Sequence, residues 1–131
     1  MSERAVAINL KIPDNTAYTA LTTLQRLGID VARVERSEIL VVDAHGDDAA
    51  LAFAIEADEA IFNPNKHRLS VLDAVGPRPG EVWISEMGRL KRYVGWRLVD
   101  AAGNPADVES LRLACQRLLC NPAIEKATFP Q

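Results

Sequence analysis

The chain lacks the usual equipment of a self-contained enzyme. It contains no Gly-x-Ser-x-Gly elbow, no phosphate loop, no Gly-x-Gly-x-x-Gly fingerprint and no Cys-x-x-Cys pair. Its only histidines, His45 and His67, fall at opposite ends of a predicted helix, and Ser37, Ser70, Ser85 and Ser110 have no assignable basic partner. Cysteine is scarce too. Cys115 and Cys120 lie on a predicted helix, where their spacing turns them about 140° apart, a poor arrangement for a disulfide or a zinc site. With Leu111, Leu118 and Leu119 around it, Cys115 reads as a buried core residue.

Other absences bound the partners. Aromatic residues make up only 5% of the 131, and the net charge of -3 gives no electrostatic case for a general nucleic-acid binder. No apolar run approaches the roughly 20 residues of a membrane helix, and Met-Ser-Glu-Arg-Ala does not open a signal peptide. A cytoplasmic location is the expectation. Asp43, His45, Asp47 and Asp48 are close enough in sequence to suggest a hard cation, but a strand-to-helix turn with its N-cap uses the same residue types. No metal and no cofactor are expected.

What the chain does have is an internal repeat. Val42-Asp43-Ala44-His45-Gly46 returns as Val99-Asp100-Ala101-Ala102-Gly103, and the helical stretch after each runs into Asn-Pro, at Asn63-Pro64 and Asn121-Pro122. Period-2 alternation predicts a strand over Val6 to Leu10, and Ala17, Leu21, Leu24 and Leu27 trace a helix capped at Asp14 or Asn15 and closed at Gly28. Two strands, Val31 to Arg36 and Ile39 to Asp43, are expected to join near Ser37. Leu51, Ala54, Ile55, Ile61 and Phe62 mark a second helix, and His67 to Leu72 a further strand.

This order predicts an α+β fold, a ferredoxin-like βαββαβ unit over residues 1–75 with an antiparallel sheet and both helices on one face. Gly76-Pro77-Arg78-Pro79-Gly80 reads as a linker, residues 76–80. Residues 81–131 read as a partial ββαβ repeat: strands at Val82 to Ser85 and Tyr93 to Val99, a helix through Val108, Leu111, Cys115, Leu118 and Leu119, and a strand at Ile124 to Phe129. A truncated unit leaves sheet surface uncovered, so the second half is expected to pack on the first in a pseudo-two-fold or extended-sheet arrangement.

Charge is distributed unevenly. From Ser37 to Phe62 there are seven acids and no lysine or arginine, whereas Arg89, Lys91, Arg92 and Arg97 gather around Tyr93 and Trp96. Basic residues interleaved with aromatics make these six the candidate partner-binding surface; a solvated hairpin with inward aromatics accounts for the same letters.

The segment Leu118-Leu119-Cys120-Asn121-Pro122-Ala123-Ile124-Glu125 resembles the C-terminal signature of the PurS subunit family of phosphoribosylformylglycinamidine synthase. The first half is similar in layout, from Leu10-Lys11 through Ala20-Leu21 and Val31-Ala32-Arg33-Val34 to Phe62-Asn63-Pro64. The family's acidic-Pro-Gln-Gly stretch is replaced by Ile12-Pro13-Asp14-Asn15-Thr16, and its Arg-x-Gly-Lys appears only as Glu35-Arg36-Ser37-Glu38. The motif residues are Asn63, Pro64, Asn121, Pro122 and Glu125. The resemblance implies a non-catalytic accessory subunit, a homo-oligomer or self-paired tandem, that joins synthetase and glutaminase subunits in purine biosynthesis. Tandem ferredoxin-like units are also similar to ACT-type regulatory domains that sense small molecules, and fold alone does not separate the two.

Overall fold

The computed structural model describes residues 2–130. Six strands form one antiparallel sheet: β1 (Ser2–Leu10), β2 (Arg33–Ala44), β3 (His67–Val71), β4 (Glu81–Glu86), β5 (Arg92–Val99) and β6 (Glu125–Thr128), in the order β3-β1-β2-β5-β4-β6. The helices are α1 (Asn15–Arg26), α2 (Asp48–Glu56) and α3 (Val108–Ala114), the last running into a π-helical turn at Cys115–Leu119. The fold is α+β.

Local chemistry fixes the helix ends. The Asp14 carboxylate accepts from the backbone N–H groups of Thr16 and Ala17 at 3.0 and 3.1 Å, and Gly28 takes φ +83° so that Ile29 N can reach Leu24 O at 3.1 Å. Asp47 and Asp107 cap α2 and α3 in the same manner, accepting from Ala50 N and Ser110 N. The expected continuation of α2 to Phe62 is not present. Asp58 starts a new turn there, accepting from Ala60 N through its side chain and from Phe62 N through its carbonyl.

The expected strand pair joined near Ser37 is instead the single twelve-residue β2. Alternation runs unbroken through the junction, Ser37 is buried, and Asn9 Nδ2 donates to Ser37 Oγ at 2.8 Å and to Arg36 O at 3.1 Å. β5 supplies a partner for Arg33 to Leu40, so nothing forces the chain to turn back on itself. The first half therefore runs strand, helix, strand, helix, strand.

This straightened strand makes the two halves alike. β1, β2, α2 and β3 have the same connectivity and strand order as β4, β5, α3 and β6, with α1 taking the place of the short β4–β5 turn. Ile8 pairs with Glu38, Ile84 with Val94, and Glu38 with Val94, which puts a pseudo-two-fold axis through the sheet between β2 and β5. The repeated Asn-Pro turns match bond for bond. His67 N donates to Asn63 O and Glu125 N to Asn121 O, both at 2.8 Å, while Asn65 N and Ala123 N donate to the respective Asn side chains at 2.9 and 3.1 Å.

All three helices lie on one face. α1 and α3 cover β4, β5 and the start of β2, with Leu24, Leu98, Leu111 and Val82 fully buried between them, and α2 covers Val6, Ile8 and Leu40 with Leu51 and Ile55. On the other face Ala5, Ala7, Ile39, Val41 and Trp83 are buried although no helix covers them. Leu72, the first residue of the link from β3 to β4, joins this cluster, and Tyr93 packs against it. The start and end of that link lie about four strand spacings apart, about 20 Å, which a nine-residue connection can span.

Candidate functional site

Strand alternation divides the basic-aromatic segment between the two faces of the sheet. Arg92 and Trp96 point to the helix side, Tyr93 and Arg97 to the other. Tyr93 packs on Trp83 with ring centroids 5.0 Å apart, and Trp96 packs against the core under α1 and α3. Lys91 reaches Glu3 at 3.1 Å and Asp43 at 3.7 Å, Arg92 reaches Glu38 at 3.3 Å, and Arg97 lies 3.9 Å from Glu35 with its Nε buried and unpartnered among the described residues. Of the four cations among these six residues, only Arg89 has no side-chain partner among the described residues. The six therefore do not form one surface.

The acidic turn residues are separately engaged as well. Asp43 faces Lys91, Asp47 caps α2, and Asp48 pairs with Arg4. Among the described residues no group of three or more His, Cys, Asp or Glu side chains is placed to hold a metal ion, and no helix is long and apolar enough to cross a membrane.

A groove of about 400 Å³ lies on the helix side, across the pseudo-two-fold axis. Ile8, Ile84 and Val94 contribute an apolar floor, and the lining comes in equivalent pairs, Ile8 with Ile84, Arg36 with Arg92, His67 with Glu125. Most charges are internally answered. Asp14 takes a two-pronged hydrogen bond from Arg36, at 3.0 Å to Nε and 3.3 Å to Nη2. Burial pushes the Asp14 carboxyl up, but this guanidinium and the α1 backbone N–H groups outweigh it and hold the carboxyl below the usual range.

His67 and Glu125 perform the same task in the two Asn-Pro turns. His67 Nδ1 accepts from Asn63 N at 2.9 Å, and Glu125 Oε1 accepts from Asn121 N at 2.8 Å. His67 also lines the groove. Asn63, Pro64, Asn121, Pro122 and Glu125 are thus turn builders, and Glu125 also borders the groove. A second, more open hollow of about 450 Å³ lies between α1 and the π-helical turn, walled by Thr16, Thr19, Thr23, Trp96 and Leu118.

On the opposite face, a buried carboxylate anchors the connecting segment. Glu81 is fully buried and accepts from Arg78 Nη2 at 2.7 Å, Arg78 N at 3.0 Å and Trp83 Nε1 at 3.0 Å. Burial pushes this carboxyl up, yet the bonds from Arg78 and Trp83 together outweigh burial and lower it. Cys115 lacks such help. Burial, with the neighbouring Cys120 adding to it, pushes its thiol up to about 12.

Neither the groove nor the Glu81 cluster was marked by a motif. The repeat was the one available signal for the groove, because an internal two-fold creates an axis that both units line. No family model, curated protein or solved structure matches this chain.

Proposed function

We propose that this chain is a non-catalytic accessory subunit resembling PurS, helping to assemble a glutamine-dependent phosphoribosylformylglycinamidine synthase from separate synthetase and glutaminase subunits. The observation that carries the reading is the β2–β5 pairing about the pseudo-two-fold axis. It joins two strand-strand-helix-strand units into one sheet within one polypeptide, as a tandem version of a paired PurS-like scaffold requires. The repeated Asn-Pro turns, with the same hydrogen bonds in both units, support a common origin for the halves. In this reading the finer architecture is ferredoxin-like in derivation, with the hairpin of the first unit opened so that β2 reaches across to β5. ATP, magnesium and ammonia chemistry belong to the partners. Affinity purification from the native cell tests it: co-elution of a glutaminase and an ATP-dependent synthetase is expected, and elution without either contradicts it.

One observation favours a second reading, an ACT-like small-molecule sensor. The groove lies where two units meet and offers an apolar floor between ionic ends. A sensor would gain several degrees in Tm with one free amino acid at millimolar concentration, and a scaffold would not respond.

A further inference from the structure

Helix α2 is apolar on both sides. Leu51 and Ile55 face the sheet, while outward Ala49, Ala50 and Ala54 surround Phe53, which is 77% exposed. A helix with apolar residues all round is normally covered all round. The margin of this outer face is acidic, with Glu56, Asp58 and Glu59 beside it.

The β4–β5 turn carries the complementary features. Met87 and Leu90 are 63% and 82% exposed, and between them Arg89 makes no side-chain hydrogen bond or ion pair among the described residues. The turn and α2 share one end of the sheet, since Lys91 binds Asp43 just ahead of the Asp47 cap. We propose that a second copy of this chain covers α2, the Met87–Leu90 turn of each protomer seating on Phe53 of its partner. Charge complementarity selects this occupant. Pairing α2 with α2 would set two acidic margins against each other, whereas turn on α2 brings a free arginine to them. Because the two patches share an end, one two-fold rotation makes both contacts, which closes the dimer and doubles an area that must reach about 1,200 Å² in a stable interface. The proposal does not depend on which function is correct.

Sedimentation equilibrium on the full chain tests it. The wild type should be dimeric, weaker at high salt, and Phe53→Glu and Leu90→Glu should each be monomeric with unchanged circular dichroism. A monomeric wild type, or a Leu90→Glu or Phe53→Glu variant that remains dimeric, would each overturn the proposal.

Discussion

A methyl group on Gly95 would stand 3.0 Å from the Oε2 of Glu81, so the absence of a side chain on β5 makes room for a buried carboxylate from β4. Ile39 Cγ1, at 3.1 Å from the same point, closes the other side. Gly95→Ala must push Glu81 away from Arg78 and Trp83 or move a packed isoleucine. A loss of about 1–3 kcal/mol is expected, measured by urea denaturation against wild type. An unchanged midpoint would mean that the carboxylate is free to move.

The same carboxylate makes stability depend on acid. Glu81 and Asp14 both bind protons more weakly when folded than their ordinary values of 4.5 and 3.8. Their contribution is complete above those values and is lost as pH falls through the lower, folded pKa. The Glu81→Gln variant should be less stable than wild type at neutral pH by about 2 kcal/mol, with the gap narrowing below pH about 4. Thermal melts of both proteins across that range provide the check.

Asp14 has two roles that substitution can separate. Asn can still cap α1 but cannot pair with Arg36, and Ala can do neither. Expected losses are about 1 kcal/mol for Asp14→Asn and about 2 kcal/mol for Asp14→Ala in equilibrium unfolding. Equal losses would show that the ion pair contributes nothing.

Cys115, with its thiol pushed up to about 12, should resist thiol reagents in the folded protein at pH 8 and react only on unfolding. Cys120 is less buried. Mapping alkylated peptides before and after denaturation distinguishes the two, and rapid native labelling of Cys115 would contradict its packing beneath α1.

Fully buried Leu111 follows the Asp107 cap as Leu51 follows the Asp47 cap. Leu111→Ala is expected to cost about 2–5 kcal/mol, because α1 and α3 share the core it fills. A loss below 1 kcal/mol in denaturant titration would mean that the core collapses around the gap.

Much of the secondary structure was legible because it rests on local rules. The Asp14 cap, the Gly28 stop, the period-2 strands and both Asn-Pro turns each depend on neighbours within a few residues. The hairpin expected near Ser37 failed because strand termination there is decided at long range, by β5 on one side and Asn9 on another. Helix α2 stopped early because Asp58 offered a competing turn to an otherwise continuous apolar pattern. Trp96 and Tyr93 looked like one surface in sequence, although alternation sends them to opposite faces. The groove was hidden for a similar reason: His67, Arg36, Arg92 and Glu125 come from four separate strands, and only the repeat hinted that an axis would bring them together.

The proposed role is tested most directly by assaying amidine synthesis in extracts of the native cell after deletion of this chain. The account predicts that glutamine-dependent synthesis of phosphoribosylformylglycinamidine is lost, that synthesis from added ammonia remains, and that purified chain restores the glutamine-dependent reaction. Undiminished glutamine-dependent synthesis in the deleted extract would contradict it.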